Sequence, residues 1–331
     1  MYAANAQSRF GVLLNCAEMV GVLAIVSTGF WLVRADEVTV GAATAAALYF
    51  LRLFSPLMSL LYLLDEAQSA GAALARLVGV ADLPAPPVVS RPRMPQDASV
   101  TVADVRYAYD HGPEVLHGVS VTVAPGERLA VVGASGAGKT TLGSIVAGIH
   151  APVSGEVRIG GVTLAELADI RSHVVLVTQE VHMFAGTVAD NLLLARPDAT
   201  PDELKSALAR VGAVEDLDTV VGDWADEVGA TLAQQLALAR VVLADPAVVV
   251  LDEATAEAGS AGARVLESAA ERALAGRTAI VIAHRLAQAI TADRVVVMNR
   301  GRVIEEGTHV ELVAAGGPYA ALWSAWSGDR G

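Results

Sequence analysis

Hydrophobic positions follow two different rhythms along the chain. The first part carries two unbroken apolar runs, about Phe10 to Val33 and about Val38 to Leu64, joined by the polar loop Arg34-Ala35-Asp36-Glu37. Each run is long enough to cross a hydrocarbon core of roughly 30 Å as a helix. A secretory signal has a shorter apolar stretch and a small-residue cleavage site. The expectation is a helical hairpin over residues 1–81 with both ends on one side. Prolines from Pro84, Pro86 and Pro87 through Pro92 and Pro95 then predict an extended linker over residues 82–97. From about Ala98 the rhythm changes to short β-type runs alternating with helical stretches, among them Arg128–Val132, Val174–Val177, Ala247–Leu251 and Ala279–Ala283. That alternation predicts a mostly parallel sheet covered on both faces over residues 98–331.

Composition sharpens this division. Apolar residues make up 53% of the 331 positions, aromatics only 5% and charged residues 18%, with a mean hydropathy of +0.48. A membrane segment attached to an ordinary α/β domain accounts for those values. The net charge of −13 argues against a broad basic surface for nucleic acid. Cys16 is the only cysteine, so no intrachain disulfide and no Cys/His metal cluster is expected. Glu18 and Arg52 stand inside the two apolar runs. Ionisable residues there line a substrate path, pair between helices, or face partner helices. Two helices cannot enclose a path by themselves.

Three motifs carry chemistry. Gly133-Ala134-Ser135-Gly136-Ala137-Gly138-Lys139-Thr140 follows the run Arg128–Val132 and fits the Walker A pattern G-x-x-x-x-G-K-[ST]. Glycines let a backbone wrap phosphates, and the N–H groups at the following helix start add partial positive charge. Lys139 supplies a full charge, and the Thr140 hydroxyl can ligate Mg²⁺. Val248–Leu251 then delivers Asp252 and Glu253 at a strand end: the first suits magnesium as a Walker B acid, the second suits water activation. Val281-Ile282-Ala283-His284 is another apolar strand, ending in a histidine. The other six histidines, His111, His117 and His309 among them, read as ordinary structural residues.

The order of these motifs resembles the nucleotide-binding domain of exporter-type ABC transporters, from about Val100 to Trp326. Val105-Arg106-Tyr107-Ala108-Tyr109 resembles the A-loop, whose final aromatic, here Tyr109, stacks on adenine. Val177-Thr178-Gln179-Glu180 resembles the Q-loop, whose glutamine touches Mg²⁺ and senses the membrane domain. Phe184-Ala185-Gly186-Thr187 and Asn191-Leu192-Leu193 match the segment after it, and Gly301–His309 matches the closing strand and turn. Ala283-His284-Arg285 resembles the H-switch, whose histidine contacts the γ-phosphate. The resemblance implies an ABC-type P-loop α/β fold with a helical subdomain, preceded by a two-helix transmembrane segment. It implies ATP and Mg²⁺ as cofactors and ATP hydrolysis coupled to transport. Glu253, His284 and Lys139 become the catalytic residues. Tyr109, the loop Gly133 to Thr140, Thr141 and Gln179 would bind ATP, and Thr140, Gln179 and Asp252 would bind the metal. It also implies a multi-pass protein of the cytoplasmic membrane with the ATP-binding domain in the cytoplasm. Arg9, Arg76, Arg91 and Arg93 inside against Arg34 outside agree weakly with that orientation. Six helices precede the nucleotide domain in the family, so about the first four are missing here; a fragment, a misassigned start or a naturally short product would each produce that.

Two departures stand out. The family's LSGGQ signature should precede Leu236-Ala237-Leu238-Ala239-Arg240, but the sequence runs Thr231-Leu232-Ala233-Gln234-Gln235-Leu236 with four signature residues absent. Thr231 and Gln234 have capping-box spacing and predict a helix start there. Gly259 also stands where the D-loop usually has aspartate. The expected partner is a second ABC subunit with an intact signature, beside the lipid membrane and a transported substrate of unknown identity. The competing readings are a nucleotide-binding but hydrolytically idle or regulatory fragment, and a soluble ABC ATPase of DNA repair or translation.

Overall fold

The computed structural model describes residues 2–82, 92–110, 112–178, 181–222, 229–252, 260–283 and 286–328. It divides into two compact units, Met1–Pro87 and Val88–Gly331.

The first unit is a pair of long helices, α1 (Tyr2–Arg34) and α2 (Val40–Ala81). Thr39 caps α2, its side chain accepting the Ala42 N–H at 3.2 Å. Small residues let the pair approach closely: a Cβ on Gly21 would fall 2.2 Å from the Phe50 ring, and one on Gly29 3.0 Å from Ala43. The outer faces stay apolar, with Leu23, Phe30 and Trp31 all more than 60% exposed. Among the described residues, Asn15–Arg34 is long and apolar enough to cross a membrane, and Val40–Leu53 is a shorter apolar stretch. α2 also continues well past Leu64, where the apolar run ends. Backbone hydrogen bonding and the good helix formers of Gln68–Arg76 carry it on through polar sequence.

The second unit opens with the antiparallel strands β1 (Val100–Ala108) and β2 (Glu114–Val123), followed by β3 (Arg128–Val132) and α3 (Lys139–Val146). β4 (Ser154–Ile159), β5 (Val162–Thr163) and β6 (Val174–Val177) come next, then the short β7 (Gly186–Thr187) and α4 (Val188–Leu193). α5 (Pro201–Val211), β8 (Val220–Val221), α6 (Ala230–Ala244) and β9 (Val248–Asp252) follow. α7 (Ser260–Leu274), β10 (Thr278–Ile282), α8 (Ala287–Ile290), β11 (Arg294–Asn299), β12 (Arg302–Gly307), α9 (His309–Ala315) and α10 (Pro318–Gly328) complete the unit.

Two sheets carry the architecture. One is antiparallel, in the order β2-β1-β4-β5; the other has six strands, in the order β12-β11-β3-β10-β9-β6. Within the second sheet only β12 runs antiparallel to its neighbour. The expected α/β P-loop fold is thus present, and the four apolar runs named from the sequence coincide with strands to within a residue. β9 and β10 are buried along their whole length, as continuous apolar runs between covered faces must be. α3 and the antiparallel sheet close one face of the parallel sheet through Leu142, Ile145, Val250 and Ile282. The helices α4 to α7 close the other through Leu192, Leu204, Leu238 and Val249.

Local signals explain several boundaries. α5 begins with Thr200 as cap and Pro201 in the first turn, where proline's missing N–H costs nothing, and Glu203 closes a reciprocal capping box. The same box recurs at Thr187/Asp190 and Thr308/Glu311. The predicted start of α6 is corrected. The helix begins at Ala230 with Gly229 as its cap and no side-chain bond, so Thr231 lies inside the first turn and its hydroxyl cannot cap. Gln234 and Gln235 turn inward instead, and Gln235 donates to the Val211 carbonyl at 3.2 Å.

Candidate nucleotide-binding site

The strand β3 ends at Val132 and the chain turns at once into Gly133–Gly138 before α3 begins. Two glycines are sterically required. At Gly133 (φ 152°) a Cβ would stand 2.2 Å from the Met298 carbonyl oxygen. At Gly138 (φ 96°) it would stand 2.7 Å from Leu116. The loop is therefore pressed between β11 on one side and β2 on the other. Ala137, Gly138, Lys139 and Thr141 are buried, whereas Ala134, Ser135, Gly136 and Thr140 face outward. Together with Val115 the segment Ser135–Thr141 lines a cavity of about 170 Å³. The first turn of α3 leaves N–H groups without intrahelical acceptors, which together with the helix dipole suits an anion.

Lys139 is only 6% exposed. Its ammonium folds back over the loop, donating to the carbonyls of Gly133 at 2.9 Å and Ala134 at 3.0 Å. It stands where a phosphate in the cradle would meet a full positive charge.

Tyr109, just past the end of β1, is 44% exposed. Its hydroxyl lies 3.0 Å from the Thr141 hydroxyl, tying the aromatic to the first turn of α3. Thr141 is thus engaged with Tyr109, a contact that neither motif shows alone. Burial pushes the phenol of neighbouring Tyr107 upward, with Tyr109 and Asp110 adding to the shift.

The parallel sheet sets the other chemistry. β10 lies between β3 and β9 and pairs with both, with Ile282 beside Val131 on one flank and Asp252 on the other. Asp252 ends β9 at 7% exposure. A buried carboxylate is costly without a hydrogen-bond partner or a cation. The outward-facing Thr140 hydroxyl and this carboxylate are hard oxygen donors. Mg²⁺ commonly takes one or two such protein groups and completes its shell with phosphate and water. The residues present fit that group.

Several residues named from the sequence lie outside the described residues: Pro84, Pro86, Pro87, Arg91, His111, Gln179, Glu180, Glu253, Gly259, His284 and Arg285. The strands leading to Glu253 and His284 are adjacent in the sheet.

A polar knot fixes the segment after the Q-loop-like residues. Asn191, 1% exposed, accepts the Phe184 N–H at 3.0 Å and donates to the carbonyls of Phe184 and Thr187 at 2.8 and 3.0 Å. Arg240 of α6 reaches the Asn191 side-chain oxygen at 2.7 Å and its carbonyl at 2.9 Å, and burial lowers the guanidinium from its ordinary value. No local pattern along the chain marks this pairing across 49 positions.

Residues 116–256 match the family described as ABC transporter. The chain is 32% identical to the uncharacterized ABC transporter ATP-binding protein YknV of Bacillus subtilis, over 98% of this chain and 56% of that protein. It is 34% identical to the mycobactin import ATP-binding/permease protein IrtB of Mycolicibacterium thermoresistibile, over 95% of this chain and 56% of that protein. A solved bacterial Atm1-family ABC exporter with ATP bound matches with a TM-score of 0.69 at 27% identity, covering 98% of this chain and 59% of that one. The chain spans about half the length of the curated relatives it matches. Motif order, sheet topology and these likenesses agree: the unit Val88–Gly331 contains an ABC transporter ATP-binding domain.

Proposed function

We propose that the chain binds ATP with Mg²⁺ at the loop Gly133–Thr140 and hydrolyses it to power transport across the cytoplasmic membrane. The ATP-binding unit would lie in the cytoplasm and α1 and α2 in the membrane. The observation that carries this reading is the phosphate-sized cradle with Lys139 buried at its rim and Tyr109 tied to its helix through Thr141.

Mg²⁺ would supply positive charge that offsets the charge of the phosphates. Thr140, Asp252 and Gln179 are the residues to hold it. Lys139 exchanges its two carbonyl acceptors for phosphate oxygens, and the loop amides hold the triphosphate in place. Tyr109 stacks on the base. The Glu253 carboxylate orients a water and takes its proton as the water oxygen bonds to the γ-phosphorus and the bond to the ADP oxygen breaks. His284 holds the γ-phosphate during that transfer.

The shortened signature makes the arrangement asymmetric. The chain keeps the residues that act on its own ATP and lacks the element a partner's ATP would need. It therefore works beside a second ABC subunit with an intact signature, and the substrate and direction of transport belong to the assembled pair. The test is ATP binding and turnover of the purified chain in detergent, alone and with such a subunit. The lone chain binds ATP and turns it over slowly; the pair turns it over briskly, and Glu253→Gln in this chain lowers that rate about a hundredfold or more. Lys139→Ala removes a charge-assisted contact of about 2–3 kcal/mol and weakens ATP binding roughly 30- to 150-fold. Brisk turnover by the lone chain would remove the need for a partner. ATP binding without turnover in any pairing would leave a nucleotide-binding, hydrolytically idle chain.

A further inference from the structure

Tyr109 does not stand alone. Tyr107 lies edge-on to it with ring centroids 4.9 Å apart and planes at 87°. His150 lies 5.5 Å away at 86°. His150 in turn stacks on Tyr107 at 5.3 Å and 28°. Two of these rings come from the end of β1. The third comes from the segment after α3, so the same helix that starts at the phosphate loop ends near the ring cluster. The Tyr109 hydroxyl is held by Thr141 at the start of that helix. Tyr109 is thus gripped at its oxygen by one end of α3 and at its ring by the residue that follows the other end. Perpendicular to both neighbours, it stacks on neither, and it keeps 44% of its surface exposed.

We infer that His150 is a positioning residue for base recognition, holding the Tyr109 ring in the attitude that stacks on a purine. Aromatic rings prefer edge-to-face or offset contacts, so a third ring packed against two others restricts the tilt of each. Stacking on a base depends on a ring presented flat and already ordered, because ordering it on binding costs affinity. Among the described residues the His150 ring contacts are to Tyr107 and Tyr109, and its influence passes through them. The inference rests on the ATP-binding reading above and adds the residue that sets base affinity.

The test is isothermal titration of the full chain in detergent with ATP and with inorganic tripolyphosphate, both with Mg²⁺. His150→Ala weakens ATP binding about three- to tenfold, the range an aromatic pair represents, and leaves tripolyphosphate binding unchanged. His150→Tyr or His150→Phe, which keep a ring, restore ATP affinity. Tyr109→Ala combined with His150→Ala binds ATP no worse than Tyr109→Ala alone, because both act through one ring. Additive losses, or an equal loss for tripolyphosphate, would overturn the role of His150. Failure of the wild-type chain to bind ATP, or binding indifferent to Lys139→Ala, would instead overturn the nucleotide-binding reading itself.

Discussion

At the scale of single residues, the loop glycines separate two costs that are often confused. Gly136 (φ 76°) would meet nothing within 4 Å if given a Cβ, whereas Gly138 (φ 96°) would collide with Leu116. Gly136→Ala therefore carries only the left-handed backbone cost of about 1–2 kcal/mol. Gly138→Ala carries that cost and must also displace the buried Leu116 side chain. We expect a visibly larger drop in melting temperature for Gly138→Ala, and a loss of the thermal shift on adding ATP that Gly136→Ala retains in part. Differential scanning fluorimetry with and without nucleotide checks both. The motif itself was legible because its glycines, lysine and threonine fall within eight consecutive positions, so their spacing can be read along the chain. The fold of Lys139 onto Gly133 and Ala134, the bond from Tyr109 to Thr141, and the ring of His150 were not. Each depends on where a side chain comes to rest in three dimensions, and sequence spacing carries no record of that.

Elements raise a different question: what keeps each helix where the site needs it. Asn191 uses its amide on Phe184, Thr187 and Arg240, joining α4, the turn before β7 and α6. Asn191→Ala strands those groups in a buried setting, at about 1–3 kcal/mol for each one left without a partner. Urea unfolding should show a loss of about 2–4 kcal/mol, with the midpoint falling and the slope unchanged.

The capping boxes predict an acid limit. Backbone hydrogen bonds from Thr187, Thr200 and Thr308 hold Asp190, Glu203 and Glu311 below their ordinary carboxylate values, and the Thr163 side chain does the same for Glu166. A depressed folded value means the stabilisation is present above the unfolded pKa, about 4, and is lost as pH falls through the folded one. Urea midpoints should therefore fall below about pH 4, and a variant carrying Asp190→Asn, Glu203→Gln and Glu311→Gln should lose less between about pH 5 and pH 3. The Thr-x-x-Asp/Glu spacing of these boxes is present in the sequence, and β6, β9 and β10 could be read from their β-branched runs. α6 could not: Thr231 and Gln234 have the spacing of a box, but Gly229 starts the helix. In α2, apolarity ends before helicity does, so hydropathy marks an apolar stretch and leaves the helix end unmarked.

Across the whole ATP-binding unit, the strand order β11-β3-β10-β9 brings the ends of β3 and β9 to either side of β10. Alternation of strand and helix predicted a parallel sheet but left its order open, because order is decided by crossovers and packing rather than by local pattern. The two sheets are also joined through the turn at Gly301. The Ala137 carbonyl in the phosphate loop accepts the Gly301 N–H at 3.0 Å, and the Gly301 carbonyl accepts the His117 N–H at 2.9 Å. There is no room for a side chain at Gly301, whose Cβ would fall 2.0 Å from the Val115 carbonyl oxygen. A phosphate that steadies the loop therefore steadies the β11–β12 turn and β2 through main-chain bonds alone. Deuterium uptake at the Gly301 and His117 amides should slow when ATP is added, so two protons that never touch nucleotide would report its arrival.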